Sequence, residues 1–332
     1  MESAPSRPAI VVVGAGAIGS LFAGLLARSG VSVLVLDVDR AKVDRIQTEG
    51  IELSGLSGPD LVSVPATTDP ASASGADFYF ICVKAYDTAA AVAALVSIAS
   101  PQSLFVSLQN GLGNDAILRD LVGRDRTILG TVGLGAYLAG PGHVVHAGSG
   151  PIRLGMLDDR PSQGSDRLDP LARLATLLGQ AGLDVEVTAT IREAIWRKLL
   201  GNVAINPLTA LLRVQNGTLL EIAETRALIE TIVAEALAVA QADGVPLDAS
   251  TSLAEVIDLA RRTGANRSSM LMDVLAGRRT EVAQLNGAVA DLADRLGVAA
   301  PVNRAISLLV SALGSRGALD QQTIEKDPKR DK

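Results

Sequence analysis

Apolar residues in the first half of the chain fall into short continuous blocks. Between them lie polar or small-residue stretches whose apolar positions recur every three to four residues. Ile10–Val13, 31–36, 78–83 and 104–108 are blocks of strand length without internal alternation, as expected for strands buried on two faces. The stretches that follow them, Ala17–Arg28, 40–48, 88–99 and 114–121, carry helical spacing. Strands alternating with helices predict a parallel sheet with right-handed crossovers. Residues 127–157 read differently, being glycine-rich with short strand-like pieces at 134–138, 143–146 and 152–154. These predict antiparallel additions to the sheet, followed by a helix over 168–181 and a last strand over 184–187.

Beyond about residue 190 the period changes. Segments 193–201, 221–242, 252–262 and 280–296 all carry helical spacing, with almost no strand candidates. The expected fold class is therefore α/β: an N-terminal domain built on a largely parallel sheet, followed by an all-helical C-terminal domain. The expected limits are 8–189 and 190–314, and the polar stretch 315–332 is expected to be a disordered tail.

Composition narrows the class without naming a reaction. At 332 residues the chain is long enough for two cores, and 48% hydrophobic residues with only 2% aromatic ones mean cores of Ala, Val, Leu and Ile. The longest apolar runs are too short to cross a bilayer, and no apolar stretch opens the chain as a secretory signal would. The single cysteine, Cys82, excludes an internal disulfide framework and fits a reducing cytoplasm; it sits in an apolar block and reads as inert core. A net charge of −6 with interspersed signs argues against nucleic acid as a partner. His143 and His146 have no Asp or Cys at metal-ligand spacing and read as strand or turn residues, so no metal is expected.

The most legible motif is Val11-Val12-Val13-Gly14-Ala15-Gly16-Ala17-Ile18-Gly19. Here a buried strand runs into GxGxxG and then a helix. Gly14 permits the tight turn, Gly16 lets the backbone approach a pyrophosphate, and Gly19 lets the helix pack on the strand. The amides of Ala17 and Ile18 then open a helix whose positive end faces the phosphates. Asp37 ends the next strand 18 residues after Gly19, the spacing of the carboxylate that accepts from an adenosine ribose 2′-OH. It favours NAD(H), since it would repel a 2′-phosphate. Arg40 and Lys42 are near enough to meet such a phosphate, and an N-cap role for Asp37 is the alternative.

Residues Ile195-Trp196-Arg197-Lys198-Leu199-Leu200-Gly201-Asn202-Val203-Ala204-Ile205-Asn206-Pro207-Leu208-Thr209-Ala210 resemble the ketopantoate reductase (2-dehydropantoate 2-reductase) family. So do Asn266-Arg267-Ser268-Ser269-Met270, Asp273, Gly277-Arg278, Thr280-Glu281 and Leu285-Asn286-Gly287, with Val83-Lys84-Ala85 and Gln109-Asn110-Gly111 in the first half. The likeness runs from about residue 9 to about 312. It implies a Rossmann domain plus a helical domain, and reduction of 2-dehydropantoate to pantoate on the way to pantothenate and coenzyme A. The implied cofactor is nicotinamide; NADP(H) is the family norm and stays open beside the NAD(H) that Asp37 favours.

Such a reduction needs a hydride donor, a proton for the forming alkoxide and a clamp on the substrate. The resemblance makes Lys198 the general acid, and a lysine ammonium also steadies negative charge growing on oxygen. Asn202 shares its helix face four residues on, and Asn206 continues the line unless Pro207 has ended the helix. By resemblance Asn202 and Asn206 bind the substrate, with Asn216 a third candidate that also reads as a turn residue before Gly217. Ser269 and Glu281 match positions that bind carboxylate and hydroxyl groups, and Glu281 can also hold Lys198 ionised. Lys84 and Asn110 follow strand ends, near the nicotinamide ribose by resemblance. Ser268 and Asn266 read as loop-structuring and Trp196 as a packing anchor.

Two departures from the family pattern stand out. Leu36-Asp37-Val38 lacks the arginine that family members place after the second strand for a 2′-phosphate. Ala283 stands where the family's TE-x-D-x-LNG pattern has an acid. The expected partner is a small 2-oxo acid, with no nucleic acid and no membrane; apolar helix faces in the second domain are compatible with a homodimer. The alternatives are a paralogue acting on another 2-oxo or hydroxy acid and, more distantly, a non-catalytic NAD(P)-sensing protein. A sensor would not need Lys198, Ser269 and Glu281, which are all present.

Overall fold

In the computed structural model, which describes residues 8–157 and 168–325, the chain divides into two compact units. The first ends at Ile191 and the second begins at Arg192; Asn110–Leu112 group with the second.

The first unit is a mixed α/β structure. Its strands and helices in chain order are β1 (Ile10–Val13), α1 (Ala17–Arg28), β2 (Val33–Leu36), α2 (Arg40–Glu49), β3 (Ile51–Gly55), β4 (Asp60–Val62) and β5 (Ala66–Thr67). Then come β6 (Phe78–Ile81), α3 (Thr88–Val96), β7 (Leu104–Ser107), α4 (Asn114–Val122), β8 (Thr127–Val132), β9 (Gly135–Gly140), β10 (His143–Gly148), β11 (Ile152–Met156), α5 (Leu168–Gln180) and β12 (Val185–Val187). The main sheet has the order β12-β11-β8-β7-β6-β1-β2-β5. Its strands pair in parallel except for β8 with β11. Successive residues of β1 feed opposite faces: Ile10 and Val12 join a core with α1, α5 and the second sheet, and Val11 and Val13 join another with α3 and α4. That two-sided burial is why these strands read as unbroken apolar runs.

Strand order reverses between β1 and β6, so the crevice beyond their carboxyl ends is a topological switch point, where open α/β sheets bind ligands. The glycine turn follows β1, and Lys84 stands just beyond β6.

The expectation for 127–157 needs correction. Only β11 adds antiparallel to the main sheet; β8 continues it in parallel, and β9 and β10 leave it for a second sheet of order β4-β3-β10-β9. The second sheet forms because β3 buries Ile51 and Leu53 under α1 and offers β10 an edge, which the register His143↔Glu52 to His146↔Gly55 fills. The histidines serve that sheet, His143 Nε2 lying 2.9 Å from Ser54 Oγ and His146 Nδ1 2.8 Å from Ser57 Oγ.

The second unit is helical: α6 (Ile191–Leu212), α7 (Ala223–Ala242), α8 (Ala249–Arg262), α9 (Ser269–Leu275), α10 (Asn286–Leu296) and α11 (Pro301–Glu325). Its core is one aliphatic cluster around Trp196, whose Nε1 donates to Asp243 Oδ2 (3.2 Å) beside the Arg192 guanidinium (2.7 Å). The helix expected over 193–201 runs on to Leu212, with Pro207, left open in the sequence as its end, inside it. The helix expected over 280–296 begins at Asn286, because 281–285 form a tight turn first. The stretch expected as a tail is helical to Glu325, since Ala, Leu, Gln and Arg are good helix formers and no proline intervenes before Pro328; residues 326–332 lie outside the described residues. Among the described residues no helix is long and apolar enough to cross a membrane.

Candidate active site

The glycine turn is built as its spacing requires. Gly14 has φ of 104°, and a Cβ there would sit 2.9 Å from the Val83 amide nitrogen. A Cβ on Gly19 would collide with the Gly14 carbonyl, so only glycine lets α1 start this close to β1. On Gly16, the N-cap of α1, a Cβ would instead project into open space, with no described atom within 4 Å. Here a pyrophosphate can approach the backbone, over first-turn amides that no intrahelical carbonyl accepts. The first turn of α1, including Ala17 and Ile18, carries no acidic residue to compete for that end. A nicotinamide dinucleotide fits this cradle.

Asp37 is tied into the turn. Its Oδ2 accepts from the Ala15 amide at 2.6 Å and its Oδ1 from the Asp39 amide at 2.8 Å. The cap of α2 is Asp39, which accepts from the Lys42 amide, so Asp37 is not the N-cap. Val38, which follows Asp37, is 97% exposed. Arg40 pairs with Asp44 (3.3 Å) and Thr68 (3.2 Å), and Lys42 with Asp39 (3.5 Å) and Asp37 (4.0 Å).

Lys84 precedes a short turn at Ala85–Asp87, half-buried beside the switch point. Gln109, not among the residues expected to form the site, has its Nε2 donating to the Val83 carbonyl (2.8 Å) and to Thr88 Oγ1 (2.7 Å), tying the ends of β6 and β7 together. The signal was present in Gln109-Asn110-Gly111 but was credited to Asn110 alone. Cys82 lies next to the turn, partly buried against the core, and burial pushes its thiol pKa up to about 12.

In the second unit α6 passes through Pro207, which keeps Lys198, Asn202 and Asn206 on one helical line. Burial pulls the Lys198 ammonium down to a pKa of about 8, and the Glu281 carboxylate acts in the opposite direction. Glu281 is half-buried and precedes the tight turn Val282–Gln284. That turn receives the one carrying Asn110: Leu112 N–H donates to the Gln284 carbonyl at 3.0 Å. Gly111, with φ of 88°, is needed there because any Cβ would collide with the same carbonyl. The structure therefore sets Glu281 within the field of Lys198, and the Asn110 turn against the turn after Glu281, within one unit.

The other candidates divide. Ser268 caps α9 by accepting from Leu271 N–H (3.0 Å), and its hydroxyl lies 2.7 Å from Thr209 Oγ1 on α6, which is the loop-structuring role expected. Ser269 follows it, exposed, as the first residue of α9. Asn216 is buried in the turn after α6, donating from Nδ2 to Thr263 Oγ1 (2.9 Å) and from its backbone to the Asn266 carbonyl (3.0 Å). Asp273 and Arg278 form an ion pair at 3.0 Å that closes the loop before Thr280. Ala283 is exposed, and nothing in the structure explains the loss of an acid there. Among the described residues no group of three or more His, Cys, Asp or Glu side chains could hold a metal ion.

The chain is similar to known proteins in sequence and in fold. Residues 10–159 match the family model described as ketopantoate reductase PanE/ApbA, and residues 190–314 match its C-terminal model. A 2-dehydropantoate 2-reductase of Halobacterium salinarum is 37% identical, over 91% of this chain and 97% of its own. The crystal structure of a PanE/ApbA family ketopantoate reductase from Ralstonia eutropha aligns with a TM-score of 0.82 at 32% identity, over 93% of this chain and 99% of its own. D-mandelate dehydrogenase, solved with NADH and anilino(oxo)acetate, aligns with a TM-score of 0.86 at 26% identity, over the same shares.

Proposed function

The chain belongs to the ketopantoate reductase PanE/ApbA family of nicotinamide-dependent oxidoreductases, and we propose that it reduces 2-dehydropantoate to pantoate with NADH, Lys198 giving the proton. The observation that carries this reading is Lys198, a desolvated ammonium of pKa about 8 within the field of Glu281, on one helical line with Asn202 and Asn206. A bound nicotinamide supplies the hydride to C2 of the 2-oxo acid. Lys198 Nζ donates its proton to the carbonyl oxygen as the C=O π bond breaks, and solvent returns the proton later. A pKa near working pH suits a general acid, which must hold its proton before the step and release it during the step. Asn202 and Asn206 orient the substrate as neutral donors that leave the charge on Lys198 undisturbed. Ser269 and Glu281 take its carboxylate and hydroxyl groups, and Lys84 and Asn110 border the nicotinamide ribose.

Preference for NADH rests on Asp37, fixed by Ala15 and Asp39, and on Val38 where an arginine would meet a 2′-phosphate. Steady-state assays of 2-dehydropantoate with NADH and NADPH side by side test both halves of the reading. It predicts turnover, with kcat/KM at least about tenfold higher for NADH. Equal or better efficiency with NADPH overturns the cofactor assignment, and no turnover with either overturns the substrate.

A second reading is a paralogue acting on another 2-oxo or 2-hydroxy acid. The alignment with D-mandelate dehydrogenase and the absent arginine favour it. A panel of 2-oxo acids decides: preference for another acid by more than about tenfold selects the paralogue.

A further inference from the structure

A proline inside a helix removes the hydrogen bond to the carbonyl four residues back. For Pro207 in α6 that carbonyl belongs to Val203, which is fully buried, so water cannot replace the missing donor. The Asn286 side chain does: its Nδ2 donates to the Val203 carbonyl at 3.0 Å and to Asn303 Oδ1 at 3.0 Å. Asn286 and Asn303 are themselves fully buried. Asn303 is held in turn by Glu235 Oε2 and the Ile232 carbonyl, at 2.9 and 3.1 Å from its Nδ2, so its amide cannot turn over without losing those acceptors. The neighbouring Asn206 carbonyl is served by Thr209 Oγ1 at 2.9 Å.

The gap therefore opens between Asn202 and Asn206, on the helix that carries Lys198, and is filled by a residue five positions after Glu281. We propose that Asn286 is a positioning residue whose amide replaces the backbone hydrogen bond removed by Pro207, locking the Asn202–Asn206 stretch of α6 to the segment that carries Glu281. The proposal rests on the reading of Asn202, Asn206 and Glu281 as substrate-binding. It explains how α6 continues through a proline without leaving the Val203 carbonyl unpaired.

The test is a cycle of Asn286→Ala and Pro207→Ala, alone and together, in the full chain. In the Pro207→Ala background the new backbone N–H can serve Val203 itself. Alone, Asn286→Ala should lower the melting temperature by roughly 3–10 °C. It should raise KM for 2-dehydropantoate about tenfold, leaving kcat within about threefold and NADH affinity unchanged. In the Pro207→Ala background the same change should move KM by less than about threefold and the melting temperature by less than half as much. If Asn286→Ala alone fails to fold, the double variant should fold. Equal effects of Asn286→Ala in the two backgrounds, or a double variant that also fails to fold, overturn the proposal. So does a melting-temperature coupling with no change in KM, which leaves Asn286 merely structural. If the wild type turns over no 2-dehydropantoate, the substrate reading fails separately; the KM cycle is then read on whichever 2-oxo acid the panel selects, and the melting cycle still decides the hydrogen-bond replacement.

Discussion

The glycine turn of the first unit and the Lys198 face of the second show two ways of building part of a site. The turn is local: Gly14, Gly16, Gly19 and Asp37 lie within 24 consecutive residues, and Asp37 reaches back to the Ala15 amide. The Lys198 face is assembled, Lys198 and Glu281 standing 83 residues apart in sequence, with the Asn110 turn added from farther away. A local turn can sit in any protein that binds a dinucleotide, which is why it says little about the reaction. An assembled face depends on the whole helical unit, and its chemistry is correspondingly specific.

The comparison implies that substitutions in the second unit act on turnover and those in the first on cofactor. The largest effect is expected from Lys198→Ala, which should lower kcat by about 10²–10⁴-fold while NADH titration gives an unchanged affinity. Loss of NADH binding in that variant would break the division. Glu281→Gln should cost on the order of 10–100-fold in kcat/KM. With the carboxylate gone, the influence that raises the Lys198 pKa is lost, so the alkaline fall in rate should move to lower pH. A move to higher pH would contradict the assigned role of Glu281. Gly19→Ala forces a Cβ onto the Gly14 carbonyl and should weaken NADH binding by about tenfold or more, with kcat at saturation largely kept. Val38→Arg offers a 2′-phosphate its missing cation and should raise kcat/KM with NADPH by about tenfold, seen in paired NADH and NADPH assays. The smallest kinetic effect is expected from Asn216→Ala, which should lower the melting temperature yet leave KM within about twofold. A tenfold rise in KM there would restore Asn216 to the substrate site.

The same contrast sets what could be read from sequence. The strands and helices around the glycine turn were legible because burial on two faces leaves unbroken apolar runs, and the turn needs particular glycines. The Lys198 and Glu281 segments were legible only as long motifs resembling a family, since spacing alone does not bring residues so distant together. The second sheet was missed: the alternation Ile51-Glu52-Leu53-Ser54 marks a strand, but nothing local says that β10 pairs with it. Pro207 left the end of α6 undecided because the donor that keeps the helix going, Asn286, comes from another segment. Residues 315–325 continue α11 on helix propensity, a signal that is faint in the sequence beside their polarity.

The most direct test of the central claim is the pH dependence of kcat for wild-type reduction of 2-dehydropantoate with NADH. With Lys198 as proton donor at a pKa of about 8, the rate should be level below that pH and fall about tenfold per unit well above it. A rate that stays level to about pH 10, the usual lysine range, or rises with pH would show that another group gives the proton.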